Sequence, residues 1–172
     1  MKAAWIRAIV ILPGNVLVVI PTMLLYVTSY CWPGDVPWNA WPWKVAGGVL
    51  IALGLCLAVW TMRLFATRGR GTAAPWNPPR HLVVAGPYRH VRNPMITSVL
   101  VMLAGEVLVT GSWPLAIWFG VFLLINAVYF PLVEEKELTR RFGEDYITYK
   151  KNVPRWRPRI SAWTPPPSKE EP

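Results

Sequence analysis

Long apolar runs separated by short polar segments dominate the pattern along this chain. No charged residue occurs over 8–34 or over 45–62, and each run approaches the ~20 residues that a helix needs to cross a bilayer. Over 93–133 only Glu106 is charged, and the sequence at 111–114, Gly-Ser-Trp-Pro, predicts a tight turn between two helices. The pattern therefore predicts an all-α integral membrane protein, a bundle of four transmembrane helices at about 8–30, 45–63, 94–110 and 114–133.

After the last apolar run the pattern changes to helical spacing. Apolar and aromatic residues recur there every three or four positions, at Leu138, Phe142, Tyr146 and Tyr149. This spacing predicts an amphipathic cytoplasmic helix over 134–151, with a break or bend at Gly143. Residues 153–159 then alternate proline, tryptophan and arginine, which suits an extended segment at the membrane interface, most simply a membrane anchor. We expect a single domain over 1–160 and a disordered tail at 161–172.

Composition and charge support this interpretation and add an orientation. With 53% hydrophobic residues, 16% charged residues and 11 tryptophans in 172 positions, the chain is too apolar for an ordinary soluble domain. Its net charge of +9 comes from residues that flank the apolar runs, so we expect contact with anionic lipid headgroups and no nucleic-acid partner. Basic residues collect at the N-terminus, in the 63–93 loop and in the tail, whereas the opposite loops carry only Asp35 and Lys44. The positive-inside rule then places both termini and the 63–93 loop in the cytoplasm.

Several kinds of site find no support in the sequence. Cys31 and Cys56 form no CxxC pair or disulfide framework. His81 and His90 have no clustered ligands around them, so we expect no metal centre. A glycine-rich dinucleotide fingerprint is also missing.

The junction before the third apolar run carries the first candidate site. Asn is a favoured helix N-cap and Pro a favoured first residue, so Asn93-Pro94 predicts the start of a helix at the cytoplasmic surface. The free N–H groups of that turn, with Arg92 and Arg89 beside them, could bind a carboxylate or phosphate. Alternatively, these arginines only fix the topology and meet lipid phosphates.

Two adjacent acids, Glu134 and Glu135, follow the fourth apolar run on the same side of the membrane. They could bind an ammonium group or a ribose diol, or they could pair with basic residues of their own helix at Lys136, Arg140 and Arg141. An anion site and a pair of acids facing each other across one cytoplasmic pocket would suit a zwitterionic cofactor that bears hydroxyl groups.

The order and spacing of these motifs resemble a known family. The matching residues are His81-Leu82-Val83-Val84, Gly86-Pro87-Tyr88, Arg92-x-Pro94, Glu134-Glu135-x-x-Leu138 and Phe142-Gly143-x-x-Tyr146-x-x-Tyr149. Together they are similar to the isoprenylcysteine carboxyl methyltransferase family, to which the phospholipid N-methyltransferases are related. The resemblance implies a membrane methyltransferase that binds S-adenosylmethionine at the cytoplasmic ends of its helices and receives a lipophilic acceptor from the bilayer.

The resemblance also implies roles for individual residues. The implied cofactor-binding residues are His81, Leu82, Val83, Val84, Tyr88, Arg92, Asn93, Pro94, Glu134 and Glu135. We expect Arg92 and Glu134 to act as catalytic residues by holding the two ends of the cofactor.

The chain departs from the family at two places that bear on the acceptor. Asn93 replaces a histidine that is common in the family, and no arginine occurs over 126–133, where eukaryotic members have one. The acceptor could therefore be a carboxylate, a thiol or an amine. A sterol-type membrane reductase using NADPH and a non-catalytic membrane protein are the alternative functions. We assign Glu106, inside the third apolar run, to a structural hydrogen bond with another helix.

Overall fold

The computed structural model describes residues 14–29, 40–69 and 79–165, and all regular elements in these ranges are helical. The helices are α1 (Ile20–Ser29), which follows a π-helical turn at Asn15–Val19, α2 (Trp41–Thr67), α3 (Pro94–Thr110), α4 (Trp113–Tyr129) and α5 (Glu135–Asn152). A 3₁₀ turn at Gly86–Arg89 precedes α3, and a π-helical turn at Phe130–Glu134 joins α4 to α5. The all-α class predicted from the sequence is confirmed for the described part of the chain.

Within the described ranges, two helical stretches are long and apolar enough to cross a membrane. They are α2, in which a window of 18 residues has a mean hydropathy of 2.2, and the continuous stretch Trp113–Asn152, in which such a window has a mean hydropathy of 2.1. The apolar helices Asn15–Ser29 and Pro94–Thr110 are shorter. The helices coincide with the predicted spans where the structure describes them, although residues 8–13 and residue 30 of the predicted first span lie outside the described ranges. These helices agree with a membrane protein, and the arrangement of four spans stays a prediction.

Glycines allow α2 and α3 to pack closely. A Cβ atom on Gly105 would lie 2.6 Å from the backbone oxygen of Gly47, and one on Gly54 would lie 2.9 Å from the backbone oxygen of Ser98. Helices in lipid associate through such close packing, because surrounding lipid tails remove most of the hydrophobic driving force. The α2–α3 pair therefore gives a firm base for the chain segment that enters α3 at Pro94.

The π-helical turn between α4 and α5 contains Pro131. A proline has no N–H to donate, and its ring clashes with the carbonyl group one turn earlier, so an ordinary α-helical turn is disfavoured there. The chain instead forms a wider turn, in which the Glu135 N–H bonds to the Phe130 oxygen five residues earlier. This turn carries Glu134 and Glu135 to the end of the apolar helix.

Helix α5 confirms the predicted amphipathic helix and its bend. Gly143 has φ 54° and ψ −131°, a backbone conformation that residues with a Cβ rarely adopt. Buried on one side of α5 are Tyr146 and Tyr149, which form a cluster with Val153. Leu82 and Val84, Leu138 and Phe142, and Trp163 pack around this cluster. Helix α5 thus lies against the segment that contains the predicted cofactor motif.

Residues 153–165, which we name the C-terminal strap, return to the start of α3. Backbone N–H groups of Arg92, Arg159 and Trp163 bond to the oxygens of Pro154 at 3.0 Å, His90 at 2.9 Å and Arg89 at 3.0 Å, respectively. The strap is therefore packed against the protein itself, and the role of membrane anchor that its first seven residues suggested stays a prediction.

Part of the predicted tail is also packed. The Trp163 ring lies 5.8 Å from the Tyr149 ring, although we expected disorder from residue 161 onward. Trp163 thus packs on α5, and residues 166–172 lie outside the described ranges.

Candidate cofactor site

A cavity of about 270 Å³ lies where the segment before α3 faces the junction of α4 and α5. It is lined by residues from α2 and the loop after it, from the segment 81–96, and from the helix after residue 128. The lining residues are Phe65, Pro79, His81, Leu82, Val83, Tyr88, Arg92, Asn93, Met95, Ile96, Tyr129, Phe130, Glu134, Glu137, Leu138, Arg141, Phe142, Tyr146 and Tyr149. Charged groups of both signs and aromatic rings therefore share one pocket.

Most of the cofactor-binding residues predicted from the sequence meet at this cavity. Those that line it are His81, Leu82, Val83, Tyr88, Arg92, Asn93 and Glu134. The other three lie just behind it: Val84 packs against the Tyr146–Tyr149 cluster, Pro94 is fully buried at the start of α3, and Glu135 is buried among cations. The structure thus brings all the predicted cofactor-binding residues to one region, in which seven of them line the cavity and three lie behind it.

Glu135 is the centre of an ion-pair cluster. Its side chain is 3% exposed and lies 3.0 Å from Arg92 Nη1, 2.7 Å from Lys150 Nζ and 2.6 Å from Arg155 Nε. Burial alone would raise the pKa of Glu135, but the hydrogen bonds from Arg155 and Lys150 and the charge of Arg92 hold this pKa below its usual value. Glu135 is therefore an ionised partner of Arg92, and both of its carboxylate oxygens already lie in ion pairs.

Four polar atoms of cavity-lining residues have no hydrogen-bond partner among the described residues. They are the Tyr88 hydroxyl, Arg92 Nε, Arg92 Nη1 and Asn93 Nδ2, and all four can donate a hydrogen bond. The Tyr88 side chain is buried, which raises its pKa well above the ordinary value and keeps the hydroxyl protonated. Leaving a buried donor unpaired costs roughly 1–3 kcal/mol. The site is therefore suited to a ligand with an acceptor group such as a carboxylate.

Asn93 precedes α3 as predicted, but it does not cap the helix with its side chain. The Asn93 side chain makes no capping bond, whereas the Asn93 backbone oxygen accepts bonds from the N–H and the hydroxyl of Thr97, at 3.0 and 2.9 Å. The predicted helix start is correct and the predicted side-chain cap is wrong. The amide group is turned to the cavity instead.

Glu134 is the first ionisable residue after the apolar stretch of the fourth span. It lines the cavity and has no ion-pair partner in the described part of the chain. Burial and, to a smaller extent, the negative charges of Glu137 and Glu135 together raise the pKa of Glu134 to about 7. A positive group or a hydroxyl pair of a ligand would stabilise the ionised form. The two adjacent acids thus differ, since cations already surround the Glu135 carboxylate whereas none in the described ranges pairs with Glu134.

Several lining residues were not among the predicted cofactor-binding residues. Tyr146 and Tyr149 could have been found from the helical spacing of α5, which places them on its buried side. Tyr129 and Phe130 are marked only by their position before the paired acids. Phe65 lines the cavity from α2, and its ring centre lies 5.4 Å from that of Tyr88. No local sequence pattern predicts this contact.

Two other sequence interpretations concern residues away from this cavity. Arg89, considered as an anion ligand, instead donates from Nε to the Trp163 oxygen at 2.7 Å. Glu106 does not line the cavity, and its Oε2 is buried without the hydrogen bond to another helix that we predicted, as far as the described residues show. The described residues also contain no group of three or more His, Cys, Asp or Glu that could hold a metal ion.

Comparison with known proteins gives one match. The family model described as phospholipid methyltransferase matches residues 43–145, more than half of the 172 residues. The matched range includes all but the first two residues of α2, the whole of α3 and α4, and every predicted cofactor-binding residue. No curated protein and no solved structure matches the chain.

Proposed function

Because the chain belongs to the phospholipid methyltransferase family, we propose that it is an S-adenosylmethionine-dependent methyltransferase acting on a lipophilic or small acceptor. This family contains the isoprenylcysteine carboxyl methyltransferases, so the resemblance found in the sequence motifs is confirmed. Family membership makes the protein a membrane methyltransferase. The identity of the cofactor and the chemical class of the acceptor are the parts that we propose.

One observation carries the cofactor assignment. Hydrogen-bond donors without an acceptor and a carboxyl group without a cationic partner lie in the same cavity, as far as the described residues show. The Tyr88 hydroxyl, Arg92 Nε and Nη1, and Asn93 Nδ2 need an acceptor, and Glu134 has no ion-pair partner among the described residues. S-adenosylmethionine has a carboxylate for the first group, and it has an ammonium group and ribose hydroxyls for the second. The volume of about 270 Å³ approaches the range of roughly 300–1,000 Å³ that small-ligand pockets have.

Bound S-adenosylmethionine would supply a methyl group on a positively charged sulfur, which a nucleophile can attack directly. The residues of the chain then contribute mainly by position. Arg92 and Glu134 would hold the two ends of the cofactor, and correct placement of two reactants can lower a barrier by roughly 7–11 kcal/mol. Glu134, with its pKa of about 7, can also hold or release a proton at neutral pH, which Asn93 cannot.

The apolar part of the lining suggests how the acceptor arrives. Met95 and Ile96 on α3, Tyr129 at the end of α4 and Phe130 directly after it line the cavity beside the apolar helices. In the proposed topology of four spans with cytoplasmic termini, this side of the cavity faces the lipid, and the charged side faces the cytoplasm. A lipid-borne carboxylate, thiol or amine would enter between α3 and α4.

Calorimetric binding to the detergent-purified protein tests the cofactor assignment. We expect S-adenosylmethionine to bind the wild type, Glu134→Ala to abolish binding while the protein stays folded, and NADPH not to bind. Glu144→Ala is the matched control, because Glu144 is an exposed acid of the same helix that does not line the cavity. If the wild type does not bind S-adenosylmethionine, the proposal is contradicted. Binding of NADPH in its place would favour the reductase alternative.

A further inference from the structure

We propose that the C-terminal strap positions Arg92 for the cofactor carboxylate, and that Arg155 is the positioning residue through which it acts. The inference rests on the proposed function, because the ligand of Arg92 is taken to be S-adenosylmethionine. It assigns a role to a segment that lies beyond residue 145, where the family match ends.

The strap reaches Arg92 in two ways. Its Pro154 oxygen accepts the backbone N–H of Arg92 at 3.0 Å. Its Arg155 Nε donates at 2.6 Å to Glu135 Oε1, the same oxygen that lies 3.0 Å from Arg92 Nη1. The backbone of Arg92 is thus bonded directly to Pro154 of the strap. The guanidinium group of Arg92 is linked to the next strap residue, Arg155, through the Glu135 oxygen that both arginines contact.

Arg155 decides how Arg92 pairs with Glu135. An arginine and a carboxylate alone favour two parallel hydrogen bonds, which would use two nitrogens of the guanidinium group. Here Arg155 occupies Oε1 and Lys150 lies 2.7 Å from Oε2, so Arg92 makes only an ion pair, from Nη1 to Oε1, and both its Nη1 and its Nε are left without a hydrogen-bond partner among the described residues. Without Arg155, Glu135 is free to turn and engage Nε as well, which removes the donor that the ligand needs.

The strap is anchored independently of Arg155. The Arg159 N–H bonds to the His90 oxygen at 2.9 Å, and the Trp163 N–H bonds to the Arg89 oxygen at 3.0 Å. Arg89 donates in return to the Trp163 oxygen at 2.7 Å and to the Thr164 hydroxyl. Replacing Arg155 therefore leaves the strap docked and changes the charge beside Glu135.

The test compares two ligands, S-adenosylmethionine and decarboxylated S-adenosylmethionine, by calorimetry on the full chain in detergent. We expect Arg155→Ala to weaken binding of the first roughly 10- to 100-fold, the size of one charge-assisted hydrogen bond, and to leave binding of the second unchanged. Arg155→Lys should restore most of the affinity. Arg157→Ala is the matched control, an exposed arginine of the same strap without an ion pair in the described ranges, and should bind both ligands as the wild type does.

The outcomes separate this inference from the proposed function. Failure of the wild type to bind S-adenosylmethionine overturns both. If the wild type binds S-adenosylmethionine and Arg155→Ala binds it equally well, only the role of Arg155 is overturned. The same holds if Arg155→Ala loses equal affinity for both ligands, because that result would indicate a general disturbance of the pocket. Melting temperatures establish that each variant is folded. If Arg155→Ala does not fold, Arg155→Met is interpreted in its place, and unfolding of both shows that Arg155 serves the fold and overturns the inference.

Discussion

Tyr149 donates its hydroxyl hydrogen to the backbone oxygen of Tyr88 at 2.7 Å, and both side chains are buried. This bond joins α5 to the 3₁₀ turn that carries Tyr88, so the two walls of the cavity are fixed to each other. Loss of the hydroxyl would leave a buried carbonyl without its partner.

We therefore expect Tyr149→Phe to lower stability by roughly 1–3 kcal/mol, the cost of an unsatisfied buried group. Thermal unfolding in detergent measures the change. Tyr129→Phe is the control, because the Tyr129 side chain is exposed and makes no hydrogen bond that the described residues show. Equal melting temperatures for the two variants would contradict the structural role of this bond.

Glu134 should make cofactor binding depend on pH. Its pKa is about 7 in the folded protein because of burial and the charges of Glu137 and Glu135. Since the ionised form is the one that attracts a cation or accepts from hydroxyl groups, S-adenosylmethionine affinity should rise between pH 6 and pH 8. Calorimetry across this range should show the rise in the wild type and a nearly flat profile in Glu134→Gln. A wild-type profile that is equally flat would argue against contact between Glu134 and the cofactor.

The same raised pKa predicts an effect on stability with the opposite sign. A carboxyl group whose pKa is higher in the folded than in the unfolded chain opposes folding above the folded value and ceases to do so as the pH falls toward the unfolded value. Glu134→Gln should therefore raise the melting temperature at pH 8 and change it little near pH 4.5. A variant that melts lower than the wild type at pH 8 would show that Glu134 has a stabilising partner.

Glu135 should behave in the reverse manner. Its pKa is lowered by hydrogen bonds from Arg155 and Lys150 and by Arg92, against the opposing effect of burial, so its contribution to stability is present above the unfolded pKa and is lost as the pH falls through the folded one. Glu135→Gln leaves these cations without their shared charge, and breaking such a buried pair costs roughly 3–5 kcal/mol. The melting temperature should fall strongly at pH 7, and the difference from the wild type should shrink at pH 4 and below.

The α2–α3 contact gives a prediction about packing. A Cβ atom on Gly105 would lie 2.6 Å from the Gly47 oxygen, whereas one on Gly48 meets no atom within 4 Å. Gly105→Ala should push the helices apart and lower the melting temperature. Gly48→Ala should leave it unchanged or raise it slightly, because alanine favours helix by about 1 kcal/mol over glycine. Equal effects of the two substitutions would mean that the helices do not depend on this close approach.

Local chemistry explains which parts of the fold could be predicted. The start of α3 at Pro94 and the bend at Gly143 depend on preferences of single residues, and both are present. The Asn93 side chain was harder to predict, because capping and the cavity compete for one amide and only the packed structure decides between them. The same applies to the C-terminal strap: its bond from Arg155 to Glu135 spans 20 residues, and no periodic pattern reports such a contact.

The candidate site shows the same division. Its lining residues near 81–93 and 134–149 belong to motifs that the sequence displays, whereas Phe65 arrives from another helix through tertiary packing. The sequence offered Glu134 and Glu135 as a pair and could not distinguish them. Their surroundings do so, since cations from α5 and the strap reach only the second acid.

The wide turn at Pro131 sets the rotational phase of everything that follows it. One additional residue in a helix rotates all later side chains by about 100° about the axis, because each residue of an α-helix advances by that angle. Deleting one residue from this turn would bring Glu135 to the angular position that Glu134 now occupies. Glu135 would then face the cavity, turned away from Arg92 and from Arg155 of the strap, and Glu134 would turn away from the cavity. The distinction between two chemically identical neighbours is therefore a matter of helical phase, set by a proline three residues before the first of them.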